Sequence, residues 1–323
     1  MSTFNNHRGY ARTFEEKKLT LGLIFPIEAY ESSIPEMDLE QQIQLAKLAE
    51  KQQFASLFVR DVPLNDPTFG DAGQMYDPWV YLSHIAAHTN DIALGTASAI
   101  TSFQHPLNLA KSAASFDRIS GERLLLGLAT GDRPIEFNVF GADRENRAEL
   151  FQETFYAAKK AWSTSYPTIN TERVSLNGEA DILPKPMLKD IPTFVTGRSG
   201  QSLEWIAENG DGWIGYPRGI HEQAKIIRDW RAFTDKFKPF TQSLYIDLLD
   251  DPDADPTPIH LGFRSGHRFL IEFLKGLEAV GVNHVIIALK FATRPMEDVL
   301  QELGEYVIPH FPALQIQSDR TQQ

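Results

Sequence analysis

Two kinds of stretch alternate along this chain. Short, nearly continuous apolar runs are followed by longer segments in which apolar residues recur every three or four positions. The first kind predicts buried strands and the second amphipathic helices. "LTLGLIFPI" (19–27) reads as a strand. In "DLEQQIQLAKLAEKQQ", Leu39, Ile43, Ala46, Leu48 and Ala49 fall on roughly one helical face, and Asp38 is placed to cap its start. "FASLFV" (54–59) is a second strand, and "DPWVYLSHIAAHTN" a helix opened by Asp77 as N-cap with Pro78 at its first position. Further strands are predicted at 91–100, 123–130, 191–197, 211–216, 242–249 and 282–289, each followed by a helical stretch.

The strands lack the strict alternation of a half-exposed sheet. Continuous apolar runs mean burial on both faces, hence a parallel sheet covered by helices. A doubly wound sheet satisfies that pattern too, but eight strand–helix pairs within 323 residues favour a closed (β/α)8 TIM barrel of the α/β class. Residues 163–190 are turn-rich and predict a hairpin insertion before strand five. The expected organisation is an N-terminal extension (1–18), the barrel (19–310, with its insertion at about 163–190) and a C-terminal tail (311–323). "DDPDADPTP" (250–258) is an acidic, proline-rich loop, either a gate over a site or inert surface chain.

Composition narrows the function. Hydrophobic residues are 42% and charged residues 23%, as in a globular protein. The net charge of −12 argues against nucleic-acid or anionic-membrane partners, which select basic patches. With no cysteine, disulfides, thiolate nucleophiles and Cys-ligated metals are excluded. No stretch approaches about 18 continuous apolar residues, and "MSTFNNHRGYARTFEEKK" has no apolar core. A secretory leader is therefore not expected, and the expected compartment is the cytoplasm.

In a barrel, chemistry belongs to the loops at the C-terminal ends of the strands. Those positions include Arg60 and Asp61, Ala97 and Ser98, "TGDR" (130–133), "TGRSGQ" (196–201), Tyr216 and Lys290. "VTGRSGQSLEW" outlines a phosphate cradle. Gly197 and Gly200 permit close backbone approach, a helix start offers free N–H groups, and Arg198 adds a fork of donors. An ordinary glycine-rich turn with a solvent arginine gives the same pattern. The small residues Ala129, Thr130 and Gly131, and "GTASAI" on strand three, leave room for a flat ring, although core alanines would read alike. Arg133 and Glu136 are spaced to pair. His84 and His88 share a helix face, either as metal ligands or as an outer-surface pair. His105, just before Pro106, is an acid–base candidate.

Taken together, "TASAITSFQHPLNLAKSAASFDRISGERLLLGLATGDRPIEFNVFG" (96–141) and "TGRSGQSLEWIAENGDGWI" (196–214) resemble the bacterial luciferase-like family of flavin-dependent oxidoreductases. The resemblance extends over about residues 19–310. It implies a (β/α)8 barrel with an insertion before strand five. It also implies FMN, or in one branch the deazaflavin F420, at the C-terminal face. Ala97 and Ser98 would lie beside the flavin ring at a bulge that often carries a non-prolyl cis peptide. Thr130 and Gly131 would face the ring, and Thr196, Gly197, Arg198, Ser199, Gly200 and Gln201 would hold the phosphate. A homodimer packed through early barrel helices is also implied. The luciferases proper carry a catalytic histidine after strand two, where this chain reads "FVRDVPLNDP", and an arginine at the position of Thr130. Light emission is therefore not expected, and Arg198 carries more of the phosphate charge.

The resulting expectation is a monooxygenase acting on a small organic substrate with O2 and reduced FMN supplied by a separate flavin reductase. Arg60 is the electrostatic candidate, unless it pairs with Asp61, and His105 the acid–base candidate. The alternatives are an F420- or NAD(P)H-linked oxidoreductase of the same fold and a non-catalytic flavin-binding protein.

Overall fold

The computed structural model describes residues 4–30, 37–66, 68, 69 and 75–315. In chain order the elements are α1 Arg8–Thr13, β1 Thr20–Ile24, α2 Leu39–Lys51, β2 Ser56–Val59, α3 Pro78–Ala86, β3 Ala93–Ile100, α4 Pro106–Ser120, β4 Leu124–Ala129, α5 Pro134–Val139 and α6 Arg147–Ser163. The second half continues with β5 Thr168–Asn170, β6 Ser175–Asn177, β7 Thr193–Thr196, α7 Leu203–Asn209, β8 Gly212–Gly215, α8 Ile220–Arg231, β9 Phe240–Leu248, β10 Thr257–Ile259, β11 Gly262–Ser265, α9 His267–Ala279, β12 His284–Ala288 and α10 Met296–Glu302.

Eight strands close on themselves in parallel, in the order β12, β1, β2, β3, β4, β7, β8, β9, with β9 pairing back to β12. This is the TIM barrel that the apolar runs predict, with helices packed around it. Local chemistry starts the helices where the sequence indicates. Asp38 Oδ1 accepts the Gln41 N–H at 3.1 Å, and Asp77 Oδ1 accepts those of Trp79 and Val80 at 3.0 Å. Gly121 ends α4 at φ +68°, a left-handed cap that disfavours side chains.

The insertion forms the antiparallel β5–β6 hairpin, with Ile169 paired to Leu176. Three further features lie outside the eight strand–helix pairs. The segment read as a proline-rich loop runs into β10 and β11; β11 lies parallel to β9 and extends the sheet beyond the closed barrel. The turn after β4 contains the short helix α5. Residues 4–14 fold under the barrel and carry α1. Among the described residues no helix is long and apolar enough to cross a membrane.

Alternate residues of each strand face the barrel axis, and their sizes decide where space is left. Below the mouth the interior is filled by Phe58, Leu125, Phe194, Ile214 and Ile286, and closed from below by Phe4, Tyr10 and Phe14. The Phe14 ring lies 5.2 Å from that of Phe194. His7 Nε2 sits 3.0 Å from Asp117 Oδ1, both side chains buried, and fixes this plug to α4. β3 presents Gly95 at the level of Phe58 and Leu125, and higher up the two strands present Ala97, Gly127 and Ala129. A Cβ on Gly127 would stand 2.2 Å from the Thr96 carbonyl oxygen, so the two strands approach closely there. Small residues on this side, opposite larger ones, leave the C-terminal mouth open.

Candidate active site

The mouth is a cleft of about 470 Å³, within the range of small-molecule and cofactor sites. One wall is built from Ala97, Ser98, Ala129, Gly131 and Thr196, none larger than threonine. The β3–β4 register shifts between Thr96 and Ala99, and the Ala97–Ser98 peptide is cis, the bulge that the family resemblance implies. The Ser98 and Thr196 hydroxyls are hydrogen-bonded to each other across the wall. Gly131 stands at φ +85° with Ile100 and Phe103 close behind, so an alanine there would be both strained and crowded.

At the next strand end, Gly197, Ser199 and Gly200 all have positive φ, at +57°, +48° and +75°. The loop's backbone bonds run from Gly197 N–H to the Ile214 carbonyl and from Gln201 N–H to that of Arg198, leaving the Arg198, Ser199 and Gly200 N–H groups outside them. Such a turn is a concave set of donors suited to an oxyanion. The Arg198 side chain is exposed at the cleft and makes no hydrogen bond or ion pair with the described residues. Gly200 packs against Ala148, with 2.5 Å from its would-be Cβ to the alanine Cβ. Gln201 is bonded to the Ala148 and Ser199 carbonyls and to Gln152. These two residues brace the loop from behind, whereas Thr196, Gly197, Arg198 and Ser199 reach the cleft.

On the far side Arg60 Nη2 donates to Tyr30 Oη at 2.8 Å, and Lys290 Nζ lies 5.0 Å from the same ring centre. Asp61 lines the floor; its Oδ2 accepts the Ile100 N–H at 3.0 Å. Burial, aided by the Asp77 and Glu136 carboxylates, pushes the Asp61 carboxyl up to about 6, against the opposing effect of the Ile100 bond. Glu136 is raised chiefly by burial, with Arg133 Nη1 3.9 Å away pulling the other way. Burial likewise raises the Tyr216 phenol.

The structure gathers Arg60, Ala97, Ser98, Thr130, Gly131 and Thr196–Ser199 around one cleft. It does not bring His105 there. That ring caps α4, with Nδ1 accepting the Leu107 N–H and Nε2 2.8 Å from the Arg173 carbonyl oxygen, so both nitrogens are engaged away from the cleft. His84 lies on the exposed face of α3 and His88 just beyond its C-terminal end, where His88 Nδ1 donates to the His84 carbonyl; among the described residues no group of three metal-ligating side chains forms. Sequence reading passed over Ser243 and Tyr245, inward residues of an apolar run, and His260, which the β10–β11 turn carries to the rim. Only the alternation along β9 signals the first two.

A sequence model of luciferase-like monooxygenases matches residues 19–245. An uncharacterized protein of Mycobacterium tuberculosis (strain ATCC 25618 / H37Rv) is 32% identical over 206 residues, covering 58% of this chain and 72% of the relative. The alkanal monooxygenase beta chain of Photorhabdus luminescens is 23% identical, over 59% of this chain and 58% of its own length. Among solved structures, an F420-dependent secondary alcohol dehydrogenase in complex with an F420–acetone adduct superposes with a TM-score of 0.73 at 16% identity, over 91% of this chain and 99% of that one, a likeness of fold.

Proposed function

This chain belongs to the luciferase-like monooxygenase family, and on that premise we propose that its cleft binds reduced FMN and, with O2, oxidises a small organic substrate. One observation carries the reading. A wall of small residues and a loop of unpaired backbone donors beside the unpartnered Arg198 line the same cleft. A planar ring with a phosphate at the end of its side chain needs those two surfaces together, and the donor set is chemically suited to a phosphate.

In this reading the Arg198 side chain and the N–H groups of Arg198 and Ser199 hold the phosphate. Ala97, Ser98, Thr130 and Gly131 flank the ring. Bound flavin supplies the two-electron chemistry that no side chain can. The chain orients it, excludes water and places Arg60 where negative charge develops at the cleft floor. Reduced FMN comes from a separate reductase. Two copies pair through α3 and α4, where Val80 and Ile119 are 69% and 70% exposed. The second reading, an F420-linked hydride transfer, draws on the fold likeness to the secondary alcohol dehydrogenase.

Titrating the purified protein with FMN and with F420, followed by ligand fluorescence, separates the two. The expected result is preferential FMN binding, and oxygen uptake by the photoreduced complex. Arg198→Ala should weaken FMN about tenfold to a hundredfold, since hydrogen bonds to a charged group are worth about 1.5–3 kcal/mol. Tighter F420 binding would transfer the assignment to the second reading. FMN affinity indifferent to Arg198 would refute the phosphate site.

A further inference from the structure

We propose that Asp61 is the residue that delivers a proton to oxygen as O2 is reduced in the cleft. The delivery step rests on the flavin reading above; the placement of the carboxyl does not. Asp61 directly follows β2 and lies on the cleft floor. Its Oδ2 is tied to the Ile100 N–H, on the strand that carries the Ala97–Ser98 bulge, so the plane of the carboxyl is fixed against that wall. Its Oδ1 makes no hydrogen bond and is open to the cavity it lines.

The surroundings favour the neutral form more than water does for a free carboxyl. On its own segment, Arg60 turns its guanidinium to the Tyr30 hydroxyl. From α3 comes the N-cap carboxylate Asp77 and from α5 the carboxylate Glu136, both disfavouring a negative charge on Asp61. Arg133, the cation on that side, is held by the Leu64 carbonyl and stands beside Glu136. Lys290, beside the Tyr30 ring, and His260 also line the cleft. Burial supports the same direction, with half-protonation near pH 6, and a flat ring covering the floor would remove more water and raise it further. Glu136 is raised as well, but both its carboxyl oxygens are sealed from the cavity, so of these two raised carboxyls Asp61 is the one that can reach a reactant.

The step balances. Reduced FMN gives two electrons and two hydrogens to O2. One hydrogen arrives as the proton leaving Asp61 Oδ1, and the carboxylate regains the proton that the flavin releases. Without substrate the products are oxidised FMN and hydrogen peroxide. With substrate the O–O bond breaks, one oxygen entering the substrate and the other leaving as water. No bond to Asp61 forms.

Two readouts test this. In the protein without ligand, infrared difference spectra should show a carboxyl C=O band that disappears between pH 5 and pH 7 and is missing in Asp61→Asn. In the complex with photoreduced FMN, flavin absorbance after mixing with O2 should report oxidation that slows as pH rises through a midpoint above the ligand-free value of about 6. Asp61→Asn should bind FMN as tightly as the parent yet oxidise it about a hundredfold more slowly, within the range for general acid catalysis, with a flat pH profile. Asp61→Glu should restore part of the rate and the sloping profile. Absence of the titrating band overturns the assignment whatever the flavin does. Unchanged kinetics in Asp61→Asn with FMN bound overturns proton delivery while leaving the flavin reading intact. Failure to bind FMN overturns that reading, and the delivery step with it.

Discussion

Replacing His284 should remove a defined part of this protein's sensitivity to acid. His284 begins β12 at the closed end of the barrel and is completely buried. Its Nδ1 lies 2.7 Å from Thr20 Oγ1 and its Nε2 2.7 Å from Ser56 Oγ. The Thr20 hydroxyl already gives its one hydrogen to the Thr13 carbonyl at 2.8 Å. Nδ1 must therefore carry the proton, and Ser56 donates to Nε2. Burial holds this neutral ring at a pKa of about 3, against 6.5 for an unperturbed histidine. Between those values the unfolded chain binds a proton that the folded one does not. Stability therefore falls as pH drops from 6.5 towards 3, by about 1.4 kcal/mol per unit from this residue. Glutamine offers Thr20 and Ser56 a donor and an acceptor without titrating. The stability advantage of the parent over His284→Gln should thus shrink by about 2 kcal/mol between pH 7 and pH 5. Urea unfolding at both pH values measures it. The comparison must be a difference between the two proteins, because Asp61, raised to about 6, stabilises towards low pH in much of the same window and partly masks the slope in the parent alone. A gap that stays constant or widens on acidification would refute the buried, neutral state of His284.

Other substitutions separate structure from chemistry. Phe14→Ala removes a ring packed on Tyr10, Phe194 and His284; it should cost about 3 kcal/mol in urea unfolding while FMN affinity stays unchanged, because the plug lies at the opposite end of the barrel. His105→Ala should cost about 1 kcal/mol through the lost cap of α4 and leave flavin oxidation unaltered; a pH-dependent rate loss would return His105 to the chemistry.

The order of the elements was written in the chain. Continuous apolar runs require burial on both faces, and a parallel sheet wrapped by helices is the arrangement that provides it for eight repeats. Asp38, Asp77 and Pro78 mark their helix starts because capping is local, satisfied within three residues. The glycine loop at 197–200 was legible for the same reason, since positive φ leaves a trace in residue choice. What the chain could not disclose are relations between distant strands. Nothing local in "FVRDV" tells Arg60 to turn to Tyr30 while Asp61 holds Ile100 and faces the cleft. Nothing in "FQHPLN" tells His105 to spend both nitrogens on the backbone. The extension at residues 4–14 reads as polar chain, yet its aromatics become a floor because barrel closure leaves a hole of their size. Periodicity sets which residues are buried. Only closure of the barrel decides which buried residues meet, and so where this cleft and Asp61 lie.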